Sequence, residues 1–297
     1  MKRFLLLTVS LLFAISAHAQ TTDWSKVEVK ASKVAGNIYM LQGAGGNIGV
    51  SVGDDGILIV DDQYAPLADK IRAALKGIAD KKLRFILNTH WHGDHTGGNE
   101  ILGPEAPVIA HDNVRKRMST EQKSTVFNRT TPPSPKQALP IITFNQTLTV
   151  HFNGEEIRAI HFPQGHTDGD SVIFFTASNV VHLGDDFFAG RFPFVDLDSG
   201  GTVEGLIKNI GELVGRIPAD AKLIPGHGPI STLDDLKKYH GMLQQTTEIV
   251  RQKIAAGKTV DQIKTEGLPA EWQPWGTGFI STERWVETIY RSLTAKK

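Results

Sequence analysis

The spacing of apolar and polar positions changes several times along the chain, and each change marks an element. Apolar runs punctuated by glycine cover 36–42, 47–53 (NIGVSVG) and 56–61 (GILIVD) and predict strands, with Asp54-Asp55-Gly56 as a hairpin turn. From Pro66 to Asp80 the spacing becomes helical, at Leu67, Ile71, Leu75 and Ile78. Strands follow at 85–89 (FILNT) and 107–110 (PVIA), then a helix over 113–118 with Asp112 as its N-cap. Ser119 to Pro140 is polar and carries Pro132, Pro133, Pro135 and Pro140, which predicts a long surface loop. The second half repeats the order. Strands are expected near 146–151, 156–162, 171–176 and 179–183, a helix near 202–216 and a strand at 222–224. Helices near 231–256 and 281–294 complete the chain. Leu58-Ile59-Val60-Asp61-Asp62 is echoed by Val181-His182-Leu183-Gly184-Asp185-Asp186, which suits two similar strand–helix halves.

The N-terminus follows a different pattern. Lys2 and Arg3 precede the largely apolar run Phe4 to Ile15, and Ala17-His18-Ala19 supplies a small-x-small cleavage pattern. Residues 1–19 therefore read as a secretory signal peptide, with Gln20 opening a mature, single-domain chain of residues 20–297 in the periplasm or outside the cell. A membrane anchor would need about 20 apolar residues, more than this run offers. Losing Lys2 and Arg3 leaves 30 basic against 32 acidic residues, a balance that argues against nucleic-acid binding. The absence of cysteine from all 297 residues excludes disulfides, thiolate metal sites and a cysteine nucleophile.

The histidines carry the chemistry. The strand FILNT runs into His90-Trp91-His92-Gly93-Asp94-His95, four metal-ligand candidates within six residues. On a continuing strand His90 and His92 would share one face, with Asp94 and His95 past a bend and facing a second point. Three more candidates sit at strand ends beside glycine: His166 in Gln164-Gly165-His166-Thr167-Asp168, Asp185 after Leu183-Gly184, and His227 in Pro225-Gly226-His227-Gly228-Pro229. Imidazole and carboxylate donors without thiolate suit zinc. His111, His151, His161, His182 and His240 lack this context and read as structural or surface residues.

The pattern HxHxDH, Gly-His, Gly-Asp, Gly-His-Gly, over roughly residues 36 to 230, resembles the metallo-β-lactamase superfamily of dinuclear zinc hydrolases. The resemblance implies an α+β fold, a four-layer αββα sandwich with the metals at one edge of the two sheets. One zinc would be bound by His90, His92 and His166 and the other by Asp94, His95 and His227, with Asp185 bridging the two Zn2+ ions. The two ions would share a hydroxide that attacks a carbonyl, with Asp94 orienting it and helping to return a proton. The chain departs from cysteine-containing β-lactamases, which have a metal-binding Cys at position 185 and a carboxylate-binding Lys where Phe188 stands. Diiron oxidoreductases carry Glu where His92 stands.

The leading expectation is an exported dizinc hydrolase acting on a small-molecule amide, lactam or ester, with lactonase or phosphodiesterase activity as the alternative. The competing class is a non-catalytic zinc protein, although a structural zinc site normally closes with four protein ligands. Asp61 and Asp62 are expected either behind the metal-binding histidines or capping the helix after Pro66. Trp91 is expected to face the core. Phe187, Phe188, Phe192 and Phe194 suit an apolar pocket or the core. Residues 119–140 and Gly43-Ala44-Gly45-Gly46-Asn47 are expected at the cleft rim.

Overall fold

A computed structural model describes residues 22–295, so the expected leader at 1–19 lies outside the described residues. The first half contains β1 (Lys30–Ala35), β2 (Ile38–Gln42), β3 (Ile48–Gly53), β4 (Gly56–Val60), α1 (Ala68–Ile78), β5 (Leu83–Leu87), α2 (Gly93–Thr96), α3 (Asn99–Leu102), β6 (Val108–His111), α4 (Asp112–Met118), β7 (Gln122–Ser124), β8 (Arg129–Thr131) and β9 (Ile142–Phe144). The second contains β10 (Thr147–Phe152), β11 (Glu155–His161), β12 (Ser171–Phe175), β13 (Val180–Phe188), α5 (Val203–Arg216), β14 (Lys222–His227), α6 (Leu233–Ala255), α7 (Val260–Glu266) and α8 (Thr282–Thr294).

One seven-stranded sheet has the order β1-β2-β3-β4-β5-β6-β9, and a five-stranded sheet runs β10-β11-β12-β13-β14. The alternation along β4 shows why the sheets stack. Leu58 and Val60 point into a layer shared with Ile157, Ile173 and Ile224 of the other sheet. Ile57 and Ile59 point outward onto Leu67, Ile71 and Leu75 of the α1 region. On the far side Val181 and Leu183 of β13 pack under Leu206 and Ile210 of α5 and Leu236 and Tyr239 of α6. Two sheets enclosed by helices make the expected four-layer αββα sandwich. Each fully buried Leu or Val contributes about 1.5–3 kcal/mol, so the inter-sheet layer holds the ends of β4, β5, β13 and β14 together. The strand echo is real in space: β4 and β13 each pair in parallel with the next strand of their sheet, β5 and β14.

Several expectations are corrected. The loop expected at 119–140 contains the hairpin β7–β8 and a short turn of helix at Lys136–Ala138. His111, rather than Asp112, caps α4: its ring accepts from the Asn113 amide, and Asp112 becomes the first helical residue, where its charge suits the helix N-terminus. Strand β1 and helix α7 were not anticipated. β5 ends at Leu87, so His90 and His92 lie beyond the strand rather than on it. The cause is Asp61, whose carboxylate takes the Thr89 amide at 2.8 Å and hydroxyl at 2.7 Å and turns the chain off the sheet. β13 instead runs on through Asp185 and Asp186 to Phe188.

Candidate metal centre

The seven residues singled out in the sequence meet at the edge where β4, β5, β13 and β14 end. They form two groups: His90, His92, His166 and Asp185, and beside them Asp94, His95 and His227. The donor atoms of each group lie within 4.8 Å of one another. His90 and His92 arrive on the turn after β5, and Asp94 and His95 on the helical turn α2. Asp185 is aimed by an irregularity in β13. Between the pairings Gly184↔Pro225 and Phe188↔His227, four steps along β13 face two along β14. Glycine makes the convergence sterically feasible. A Cβ at Gly226 would overlap the Asp185 carboxylate, and one at Gly46 would overlap the His95 ring.

Asp185 stands between the groups. Its Oδ2 faces the inner group, 3.8 Å from His90 Nε2 and 3.5 Å from His166 Nε2, and its Oδ1 faces the outer one, 3.1 Å from His95 Nε2 and 3.4 Å from His227 Nε2. The inner imidazoles are oriented from behind. His90 Nδ1 meets the Thr89 hydroxyl at 3.0 Å, His166 Nδ1 donates to the Phe194 carbonyl at 2.6 Å, and His92 Nε2 donates to Asp196 at 2.8 Å. The opposite nitrogens therefore turn inward, with His166 Nε2 and His92 Nδ1 only 2.8 Å apart. His95 is set by Asp61, at 2.7 Å from its Nδ1.

The charges of the two groups differ. Burial, reinforced by the His95 charge, holds His90 well below the usual imidazole range, and burial takes His166 down to about 4. Burial also opposes the charged form of His95, but Asp185, Asp94 and Asp61 outweigh it and hold His95 well above its ordinary value. His227 rises to about 9 because Asp185, its strongest favourable partner, outweighs burial. Asp94, despite burial, is pulled down to about 2 by His95 and His227. Metal-free His90 and His166 are thus neutral at pH 7, and the outer group is a set of ion pairs.

A metal fits these residues. His90 Nε2 is buried without a hydrogen-bond partner, an arrangement that costs free energy unless a ligand occupies that side of the ring. His92 and His166 likewise face one another with acceptor nitrogens that only one proton could satisfy. Nitrogen and carboxylate oxygen donors are the chemistry expected of a zinc-type site.

Of the two roles weighed for Asp61 and Asp62, Asp61 sits behind His95 and neither caps α1, whose N-cap is Leu67 without a side-chain bond. Asp62 is buried beside the backbone of Gly98 and Asn99, and burial plus the Asp61 charge raises its pKa. Trp91 packs on the Val114 and Met118 cluster as expected, and also lines the cleft. Phe187 belongs to the core, and Phe188, Phe192 and Phe194 reach the cleft. His111 and His161 stack on each other at 3.7 Å, away from the site. Thr89 and Asp196 were missed. Asp196 also accepts from the Ser199 amide, so its spacing reads as an ordinary turn.

An αββα frame with a histidine-rich donor cluster at the sheet edge defines a class of hydrolases. The chain belongs to the metallo-β-lactamase superfamily, whose family model matches residues 34–253. Among its relatives is the lactamase-like protein aptB of Emericella nidulans, 26% identical over 219 residues, which cover 70% of this chain and 61% of that protein. The metallo-β-lactamase type 2 of Bacteroides fragilis is 20% identical over 261 residues, covering 83% and 95% of the two chains. In fold, the chain is similar to the stereoselective inverting sec-alkylsulfatase Pisa1 from Pseudomonas sp. The TM-score is 0.68 at 15% identity, covering 91% of this chain and 51% of that one. The chain thus spans about half to three-fifths of the length of the first and last of these.

Proposed function

We propose that the protein is a dizinc hydrolase that cleaves an amide, lactam or ester bond in a small molecule. The observation that supports this reading best is the contiguity of the two donor groups across Asp185 at the floor of a cleft of about 630 Å³. That volume suits a drug-sized substrate. His90, His92 and His166 would hold one zinc, Asp94, His95 and His227 the other, and Asp185 would bridge them. Zinc supplies Lewis acidity, polarising a carbonyl and lowering the pKa of water to about 7. The protein's own residues do the rest. Asp94, 25% exposed and therefore open to the cleft, orients the attacking water and passes its proton toward the leaving group. Phe188 and Phe194 exclude bulk water from the reacting carbonyl. Tyr64 lines the same cleft, and burial together with the Asp94 charge pushes its phenol up to about 12, so it remains a neutral donor.

We also propose export on the strength of Lys2, Arg3, the apolar run and Ala17-His18-Ala19; mass spectrometry of the exported protein would find an N-terminus at Gln20. Among the described residues no helix is long and apolar enough to cross a membrane. The function is tested by elemental analysis and a hydrolysis screen of β-lactams, lactones, aryl esters and phosphodiesters, before and after chelation. The expected result is close to two zinc equivalents and carbonyl hydrolysis that chelation abolishes and zinc restores. Full activity in chelated protein would overturn the reading, and turnover of phosphodiesters alone would replace it with the alternative.

A further inference from the structure

An aromatic path leads outward from the inner histidines. The Phe194 ring lies 5.7 Å from both His92 and His166, Phe127 of the β7–β8 hairpin lies 5.1 Å from Phe194, and Phe279, 70% exposed, lies 5.5 Å from Phe127. Rings tilted and edge-on to one another along a cleft wall favour an apolar body. Two guanidinium groups line the same cleft, from Arg129 on β8 and Arg191 after β13. The Arg191 stem lies against Gly278, beside the outermost ring. The Arg129 charge reaches Tyr64, across the cleft from the hairpin, where it favours the ionised phenol.

Among the described residues neither arginine has a carboxylate within salt-bridge distance. By contrast Arg117, just outside the cleft, is held by both oxygens of Asp168, at 2.6 and 2.7 Å. Beside the donors, Phe188 stacks on His227 at 5.1 Å. Arg191 thus lies beside the outermost ring of the path, and Arg129 sits on the hairpin two residues beyond Phe127.

We propose that the cleft binds an organic oxyanion, a carboxylate or sulfate carried at the far end of an apolar body, with Arg129 and Arg191 gripping the anion and Phe194 and Phe127 the body. Arginine suits this task because its planar fork matches an oxyanion with two parallel hydrogen bonds. This deepens the hydrolase reading, on which it rests only in taking the bound anion for a substrate.

The test is calorimetric binding of 4-phenylbutyrate, 3-phenylpropyl sulfate and the neutral 4-phenylbutanamide, each to zinc-loaded and to metal-free protein. Both oxyanions, or one of them, should bind at least about 10-fold more tightly than the amide in both forms, because a charged hydrogen-bonded pair contributes on that scale. The tighter oxyanion identifies the chemistry. In the double variant Arg129→Gln, Arg191→Gln that ratio should fall about 10-fold or more, and Arg→Lys at both positions should restore part of it. The single variants carry the test if the double variant does not fold. Equal affinity for amide and oxyanions, a preference that survives in the Gln variants, or one that disappears with the metal would overturn the proposal. Binding requires no turnover, so a protein that hydrolyses nothing would still answer the question.

Discussion

The two donor groups share Asp185 but are built differently. The inner one offers three imidazoles, of which His90 and His166 are fully buried, and each ring is fixed from behind by Thr89, Phe194 or Asp196. The outer one mixes a carboxylate with imidazoles and opens to solvent at Asp94 and His227, 25% and 21% exposed. His90 and His166 are neutral before any metal arrives, whereas His95 and His227 carry protons held by Asp185 and Asp94. Metal must displace protons from His95 and His227 but not from His90 or His166. A rigid neutral pocket beside a wet ionised one means that the two metals would differ in affinity and in pH dependence.

The largest expected effect is at the shared residue. Asp185→Asn removes the charge that faces both groups, and turnover and occupancy of the outer metal should fall by about 100-fold or more. Changes behind a ligand already cost about 10–100-fold. Equal loss of both metals would break the comparison.

Next come the two carboxylates that stand behind the histidines. Asp61→Asn leaves the His95 Nδ1 proton without its charged acceptor, and Asp196→Asn does the same at His92 Nε2. Each should weaken metal binding by about 10–100-fold, Asp196→Asn at the inner site and Asp61→Asn most at the outer site, with a smaller inner loss through Thr89 and His90, measured by metal competition with a chromophoric chelator. Indistinguishable profiles would show that the groups act as one.

The smallest effect is expected from Asp186→Asn. Asp186 accepts from the His166 amide and adjoins Asp170, and burial with the Asp170 charge raises its pKa well above the carboxylate range. A carboxyl whose surroundings favour its protonated form is well imitated by an amide, so metal content and turnover should change by no more than about threefold. A loss as large as that of Asp185→Asn would mean that Asp186 is charged and sets the position of His166.

The ligands were legible because imidazole and carboxylate recur there in a tight pattern at strand ends, and the layers because β4 alternates in and out. What the sequence hid depends on long-range partners. The departure of His90 and His92 from β5 is caused by Asp61, 28 positions before Thr89. The hairpin at 122–131 has little apolar content of its own. It docks through Phe127 against Phe194 and Phe279, and through Thr125, whose amide and hydroxyl donate to Asp198, contacts no local pattern announces.

The most direct measurement is a zinc titration of metal-free protein, with competing chelator, at pH 6.5 and 8.5. His227 has a pKa of about 9 and His166 of about 4. Below pH 9 zinc must displace the His227 proton, and the His95 proton as well, so outer-site affinity should fall at least about tenfold for each unit the pH drops, at least about 100-fold across this interval. His90 and His166 are unprotonated throughout, and inner-site affinity should move far less. Two steps, the weaker strongly pH-dependent and the tighter far less so, are the predicted result; two steps that shift together with pH, or a single zinc bound at both pH values, would contradict it.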